Sequence, residues 1–288
     1  MIKRHHRNSW SLHFLLLAFF LYSSPLLANN GLLLAVHPYK SSSQLIKAFT
    51  PLVDYLGQAL GVTVSLDVSP DYDAHIERIG NNMVDIAYMG PAAYVIMVKK
   101  YDNKPILARQ LVNGNNSFKG KIIKRADNPM TALQSLAGKR FAFGDFSSTM
   151  SHLVPRFMLI NAGVDASDLS GYQFLGSHDN VALGVLSGDF DAGAVKEEIF
   201  YKYKTRGLAE MASTPSVYEH LFVARSDLPD KTIAELRKAL TGLSQNPHGM
   251  EILGNIKKGV NGLQPADDAD YDSLRKVLDV LATHDISP

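Results

Sequence analysis

The chain contains no cysteine. That absence excludes disulfide cross-links, a lipid anchor on a cysteine, a zinc–thiolate site and a thiol nucleophile. It does not exclude an extracytoplasmic protein, because 288 residues with 46% hydrophobic content can bury a sizeable core without cross-links. A charge bias is missing too: 29 Lys and Arg stand against 28 Asp and Glu. The chain as a whole therefore has no field that would draw it to nucleic acid or to a membrane surface. There is no repeat at solenoid spacing and no low-complexity tract. A P-loop, a complete GxGxxG fingerprint and an HExxH pair are all missing, which argues against nucleotide and zinc-hydrolase chemistry. No cofactor and no metal is expected.

The first 28 residues differ from the rest. Lys3, Arg4, His5, His6 and Arg7 form a basic start, Leu12 to Tyr22 is an apolar run, and Ser23-Ser24-Pro25 breaks it before Leu26-Leu27-Ala28. This is the layout of a secretory signal peptide. The run is shorter than the roughly 20 residues of an ordinary membrane span. Leu26 stands where a small residue is preferred at a cleavage site, so an uncleaved anchor is the competing reading. Removing residues 1–28 lowers the basic count from 29 to 26, against 28 acidic residues. Any affinity for anions must then be local. No second long apolar stretch follows, so the expected product is a soluble periplasmic protein.

The remainder alternates short apolar strands with amphipathic helices. Gly31–His37 reads as a strand. Leu45, Ile46, Phe49, Leu52, Val53, Leu56 and Leu60 recur at helical spacing over Ser43–Leu60, with Gly61 as the stop. Val62–Val68 alternates as a strand, Asp71 or Tyr72 opens a short helix to about Asn81, and Val84–Met89 is a buried strand. Gly90-Pro91 starts the next helix, Pro being suited to a first turn. A second series follows: strands at Gly120–Arg125, Arg140–Gly144, Tyr172–Leu175 and Asp191–Val195, with helices at Thr131–Leu136, after Thr149 to about Ala162, and at Asn180–Ser187. An extended piece runs from Val217 to Arg225. Helices near Asp230–Gln245 and Ala269–Thr283 close the chain. The order predicts two α/β units with mainly parallel sheets. It suggests a two-lobed protein with crossings near Ile106–Gly114 and Ser213–Phe222.

Four segments share one design, in which a strand ends, a polar loop follows and a helix begins. They are Ser69-Pro70-Asp71-Tyr72, Tyr88-Met89-Gly90-Pro91, Asp145-Phe146-Ser147-Ser148-Thr149 and Gly176-Ser177-His178-Asp179-Asn180. A helix N-terminus exposes unpaired N–H groups and partial positive charge, and so holds a phosphate-like anion without Lys or Arg. Ser and Thr hydroxyls and a histidine add directed donors. In open α/β sheets ligands bind beyond the carboxyl ends of the strands, where these loops would meet. Read singly, each segment has a plainer explanation. Ser147, Ser148 and Thr149 are good N-caps, His178 suits a helix cap, Gly90-Pro91 a turn, and Tyr72 and Tyr88 a core. Asp71, Asp145 and Asp179 fit caps and loop orientation better than metal or acid–base work. His152 follows Ser148 by one turn, but nothing else supports a catalytic pair, and the chain is not expected to be an enzyme.

Taken in order, these segments resemble a known family. Pro51-Leu52-Val53-Asp54-Tyr55-Leu56, Leu60 to Val64, Asp71-Tyr72 and Val84 to Tyr94 are similar to the phosphate, phosphite and phosphonate binding proteins of ABC importers. So are Gly144 to Thr149 with Leu153-Val154-Pro155, Gly176 to Ala182, and Gly188 to Val195. The resemblance covers about residues 31–225. It implies an α/β, two-lobed type II periplasmic-binding fold with a hinged cleft. The partners it implies are a small oxyanion and an ABC permease in the inner membrane, or else a membrane sensor; no nucleic acid is expected, and the protein is expected to be a monomer. Tyr72 matches the family tyrosine that hydrogen-bonds the oxyanion, Ser148 and Thr149 match the start of its Ser-Thr-Ser loop, and His178 matches its ligand histidine. With Tyr88, Gly90 and Ser147 from the loops, these form the candidate site.

Three departures bear on the ligand. Met150 stands where the second loop serine is expected and Ser151 where the family has a glycine, so one hydroxyl donor is lost unless Ser151 replaces it. Phe118 takes the place of a tyrosine. Lys196 stands where related proteins often carry an acid or amide that could hold an amine, leaving Glu197 or Glu198 for that task. Residues 1–28 are assigned to the signal peptide, 29–110 with 218–288 to lobe 1, and 111–217 to lobe 2. N-terminal sequencing of exported protein should begin at Asn29 or within a few residues of it; membrane-bound protein that retains Met1 would show an uncleaved anchor instead.

Overall fold

The structure, a computed structural model, describes residues 1–2, 31–284 and 286; the signal-peptide assignment lies outside the described residues apart from the first two. The chain begins β1 (Leu32–Val36), α1 (Ser42–Leu60), β2 (Val64–Val68), α2 (Tyr72–Gly80), β3 (Ile86–Met89), α3 (Pro91–Tyr101) and β4 (Ile106–Val112). It continues through β5 (Ser117–Phe118), β6 (Gly120–Arg125), β7 (Arg140–Phe143), α4 (Val154–Asn161), β8 (Gly171–Phe174), α5 (His178–Ser187), β9 (Ala192–Lys196), α6 (Glu197–Lys204) and β10 (Leu208–Ser213). It returns by β11 (Val217–Tyr218), β12 (Leu221–Ala224), α7 (Asp230–Gly242), α8 (Pro247–Ile256), β13 (Val260–Gln264) and α9 (Asp272–Leu281).

Two sheets result. The first has the order β13-β4-β12-β3-β1-β2, the second β10-β6-β9-β7-β8. The strands β2, β1 and β3 run parallel, as do β8, β7 and β9. These parallel blocks aim their carboxyl ends at the space between the lobes. The returning strand β12 inserts antiparallel between β3 and β4, so the end of the chain completes the sheet that its beginning started. A short antiparallel ribbon, Val217↔Phe118 and Tyr218↔Ser117, joins the two passages between lobes.

Side-chain alternation divides each core in two. Leu32, Leu34 and Val36 of β1 pack on one face with Phe49, Leu52 and Leu56 of α1, while Ala35 packs on the other with α2 and α3. Phe141 and Phe143 likewise face one core of the second lobe and Ala142 the other. Because both faces are covered, β3 is buried at every position, as sheets flanked by helices require. The residues expected on the inner face of α1 are buried, and Gly61 ends it in the left-handed region with φ 68°. The exceptions are Leu60, which is only half-buried, and Ile46, which faces solvent.

Five readings of the sequence need correction. The sheets are mixed, not mainly parallel, because the returning and crossing strands β4, β6, β10, β12 and β13 pair antiparallel. Ile106–Val112 is a strand paired with β12 and β13, so the outward crossing comes after it. Thr131–Leu136 shrinks to a 3₁₀ turn at Leu133–Leu136. The stretch after Ser148 begins as a π-helical turn, Thr149–Leu153, before α4. The closing segment also holds α8 and β13 between the two expected helices. Glycine hides α8: Gly249 sits so close to Leu243 that a Cβ there would lie 1.8 Å from its carbonyl oxygen. A register shift between Val260 and Gly262 hides the alternation of β13.

The last helix belongs to neither lobe alone. It packs against α3 and against α4, and Tyr271, Leu274 and Leu281 share an apolar cluster with Met150, Leu153 and Val154 of the second lobe. Beyond it, His284 Nδ1 lies 2.7 Å from Asp165 Oδ2, and Arg156 donates to the His284 carbonyl at 2.6 Å.

Candidate functional site

The strand ends meet around Gly90, the N-cap of α3. From the second lobe, Thr149 Oγ1 accepts a hydrogen bond from Ala92 N at 3.0 Å. Thr149 therefore occupies the N-terminus of a helix in the opposite lobe, and its own hydroxyl hydrogen remains to donate. Ser148 caps the π-helical turn, accepting from Ser151 N at 3.4 Å. Ser147 Oγ reaches Asp73 across the cleft at 3.5 Å, at the limit of a hydrogen bond. Ser151 points elsewhere. Its buried Oγ has no hydrogen-bond partner among the described residues and lies where a Cβ on Gly144 would be 2.1 Å away. Met150 is fully buried in the apolar cluster between the lobes, so that departure exchanges a hydroxyl for packing.

His178 opens α5, and its Nδ1 accepts from Lys196 N at 3.1 Å. A backbone N–H only donates, so the His178 proton sits on Nε2 and is available to a ligand. Burial first, then the nearby Lys196 charge, hold its pKa well below the usual histidine value. Lys196 ends β9 with its side chain buried. Its Nζ lies 3.3 Å from His220 Nε2, 5.2 Å from the Tyr39 ring centre and 5.7 Å from that of Phe118. Burial, then Lys257, bring its pKa down to about 8 against the pull of Glu198 and Glu219.

The sequence did not announce the other half of this cluster. His220 Nδ1 donates to Glu219 Oε2 at 3.0 Å, and burial with Lys196 lowers its pKa to about 4. Its Nε2 is thus a lone pair facing Lys196. Glu219 is buried, held by Gln110 at 2.9 Å, and Tyr88 OH donates to Gln110 Oε1 at 2.9 Å. The Tyr88 hydroxyl is committed to this support, while the Tyr88 ring stacks 5.5 Å from His37 and 5.4 Å from His220. Tyr72 meets His37 edge-on at 5.2 Å, and burial raises its pKa, keeping the phenol protonated. Both His37 Nε2 and His220 Nε2 flank Gly90, 3.8 and 3.7 Å from where its Cβ would be. Phe118 packs 5.5 Å from His220. The one available signal for His37 was its place directly after an apolar strand, where a ligand-facing residue belongs.

The acids behave as supports. Asp71 caps α2 through Ala74 N at 2.7 Å, and Asp179 accepts from Tyr203 at 2.7 Å and Lys202 at 2.5 Å. His152 is turned into an aromatic pocket, 5.0 Å from Phe143, with Nδ1 donating to the Phe146 carbonyl at 2.5 Å. At the hinge side, Glu198 of the second lobe pairs with Lys257 of the first at 2.8 Å, bordering a cavity of about 330 Å³ that Lys196 and Phe118 also line. A concavity of about 1070 Å³ beside β8 and α5 is formed by one lobe alone and includes none of the expected site residues.

A cleft between two α/β lobes, walled by helix N-termini, hydroxyls and a buried cation, defines a two-lobed solute-binding protein. Residues 34–271 match the family described as ABC transporter, phosphonate, periplasmic substrate-binding protein, and the chain belongs to that family. It is similar to the phosphate-import protein PhnD of Mycolicibacterium smegmatis, 29% identical over 272 residues, or 86% of this chain and 84% of that protein. It is also similar to the phosphonates-binding periplasmic protein of Escherichia coli, 28% identical over 228 residues, 75% of this chain and 67% of that one. The structure of PhnD1 from Prochlorococcus marinus with methylphosphonate shares the fold, with a TM-score of 0.80 at 22% identity, over 88% of this chain and 99% of that one. Among the described residues no helix is long and apolar enough to cross a membrane.

Asp145 generates a pH prediction. Burial, with Asp73 and Asp71 nearby, pushes its pKa from 3.8 up to about 6 against the hydrogen bond from Ser147 N. A raised carboxyl pKa means that the folded protein holds the extra proton, so this group's contribution falls as pH rises from 3.8 to about 6. Asp145→Asn keeps an acceptor for Ser147 N and removes the titration. The melting-temperature difference, variant minus wild type, should grow across that window and stay level above it. A flat difference would show that Asp145 is solvated like an ordinary surface acid.

Proposed function

We propose that the chain is exported to the periplasm, acts as a monomer, and closes its lobes on a small phosphorus oxyanion that it delivers to an ABC permease. The lobe boundaries of this reading, 29–110 with 218–288 and 111–217, move at the first crossing to follow Val112, because β4 runs to that residue in the first sheet. The observation that carries it is the convergence of donors at Gly90. In this reading the α3 N-terminus, Thr149 and Ser148, the Nε2–H of His178 and the buried ammonium of Lys196 face one small space, supported by Thr149 Oγ1 on Ala92 N and by Lys196 Nζ beside His220, whose Nε2 borders Gly90. Tyr72 and the aromatic wall exclude water from it, which strengthens each hydrogen bond. The relatives named for phosphate and phosphonates point the same way. The ligand must bind the closed form better than the open one, since otherwise it cannot drive closure.

Lys196 sets the scope of the ligand. A second ammonium brought beside it is repelled, the more so when closure removes water. The site therefore suits phosphate or a simple alkylphosphonate better than an aminoalkylphosphonate.

Calorimetry on the mature protein tests both statements. Ser148→Ala and Thr149→Ala should each weaken binding of phosphate or methylphosphonate by about 1.5–3 kcal/mol, the worth of a hydrogen bond to a charged group. Unliganded melting should change little, and unchanged affinity with a lowered melting temperature would leave the two hydroxyls as caps only. In a separate comparison, wild type should prefer methylphosphonate to aminoethylphosphonate, and Lys196→Asp should reverse the order. A wild-type preference for the aminated ligand would refute the role given to Lys196.

A further inference from the structure

His37 is fully buried, and its Nδ1 lies 3.0 Å from the carbonyl oxygen of Tyr88. A carbonyl only accepts, so Nδ1 carries a proton. The other nitrogen, Nε2, has no hydrogen-bond partner among the described residues. It borders the same Gly90 that caps α3, beside the lone pair of His220, and so lies on the ligand side of the cluster. A buried acceptor left without a donor costs about 1–3 kcal/mol. A donor on a bound ligand would remove that cost.

The surroundings oppose an imidazolium here. The groups packed on His37 are Tyr39 after β1, Tyr72 and His75 of α2, Tyr88 of β3, His220 before β12, and Lys196 of β9 as a nearby charge. They are neutral or cationic. Glu219 is engaged on the opposite nitrogen of His220. Burial, followed by His220 and His75, holds the His37 pKa well below its usual value. A proton placed on Nε2 would thus be unsupported by any carboxylate in contact, with Lys196 close by.

We infer that His37 Nε2 accepts a hydrogen bond from a P–OH group, so that the cleft selects the monoprotonated form of a phosphorus oxyanion and excludes sulfonates and sulfate. The inference rests on the oxyanion reading above and adds which oxyanions qualify. The second ionisation of phosphate and the phosphonates falls near neutrality, so a monoprotonated species is present in solution. Sulfonates and sulfate are fully ionised there and carry no O–H. Their oxygens would meet the Nε2 lone pair directly, which is a repulsive contact as well as an unmade bond. Sites that hydrogen-bond a ligand hydroxyl reject analogues that lack it by about 10⁴-fold or more in favourable cases.

The test is calorimetric titration of the mature protein with phosphate, methylphosphonate, methanesulfonate and sulfate at pH 7. In wild type, the better phosphorus ligand should bind at least about 100-fold tighter than either sulfur anion. His37→Phe keeps the ring packing and removes the nitrogen, and should narrow that ratio by at least about tenfold. Methanesulfonate binding to wild type within tenfold of methylphosphonate would overturn the inference, and this arm needs no variant. A folded His37→Phe protein with an unchanged ratio would overturn it too. If none of the four anions binds wild type, the oxyanion reading itself fails and takes this inference with it.

Discussion

A buried ammonium persists only where its lost hydration is replaced, and Lys196 is such a group. No carboxylate touches it. Its hydrogen bond goes instead to His220, and two aromatic rings lie within cation–π reach of its Nζ. His220 can accept only because Glu219 holds its other nitrogen, and Glu219 is fixed by Gln110, which Tyr88 fixes in turn. The same Tyr88 presents its carbonyl to His37. One chain of contacts thus runs from the last residue of β9 through the turn before β12 into β4 and β3. It sets the tautomers of two histidines and leaves a positive charge in the cleft of a chain with almost no net charge of its own.

The contacts that hold the lobes together are of two kinds. Polar ones border the ligand space: Thr149 on the α3 N-terminus, Lys196 on His220, and Glu198 on Lys257. Apolar ones lie behind it, where Met150, Leu153 and Val154 meet α3 and α9. The first kind is directional and is lost when the lobes part. The second tolerates small displacement, because an apolar contact has no preferred angle.

Sequence reasoning reached the parts that depend on near neighbours. The period of Leu45, Phe49, Leu52 and Leu56, the stop at Gly61 and the capping roles of Asp71 and Ser148 are all local physics. Lys196 was visible as a polar residue at a strand end. His37, Glu219 and His220 were not singled out, because their meaning comes from contacts between segments far apart in the chain, such as His37 with Tyr88 and Glu219 with Gln110. Nothing near His220 says that it will face the helix that follows Gly90. The insertion of β12 between β3 and β4 is likewise a property of the whole fold. In α8 the inner face of Gly249, Ile252, Leu253 and Ile256 has helical spacing, but Gly249, which lets the backbone approach Leu243, removes one apolar side chain from it.

The position of α9 constrains how the cleft can move. Two short passages bound into the β5–β11 ribbon would by themselves permit a free swing about a single axis. Yet α9 also lies on α3 of one lobe and α4 of the other, and its far end is tied to Asp165 and Arg156. A rotation about the ribbon has to drag this helix across one of its two neighbours. The motion is then part hinge and part shear. The apolar seam under α9 therefore takes part in any change of the cleft, alongside the ribbon.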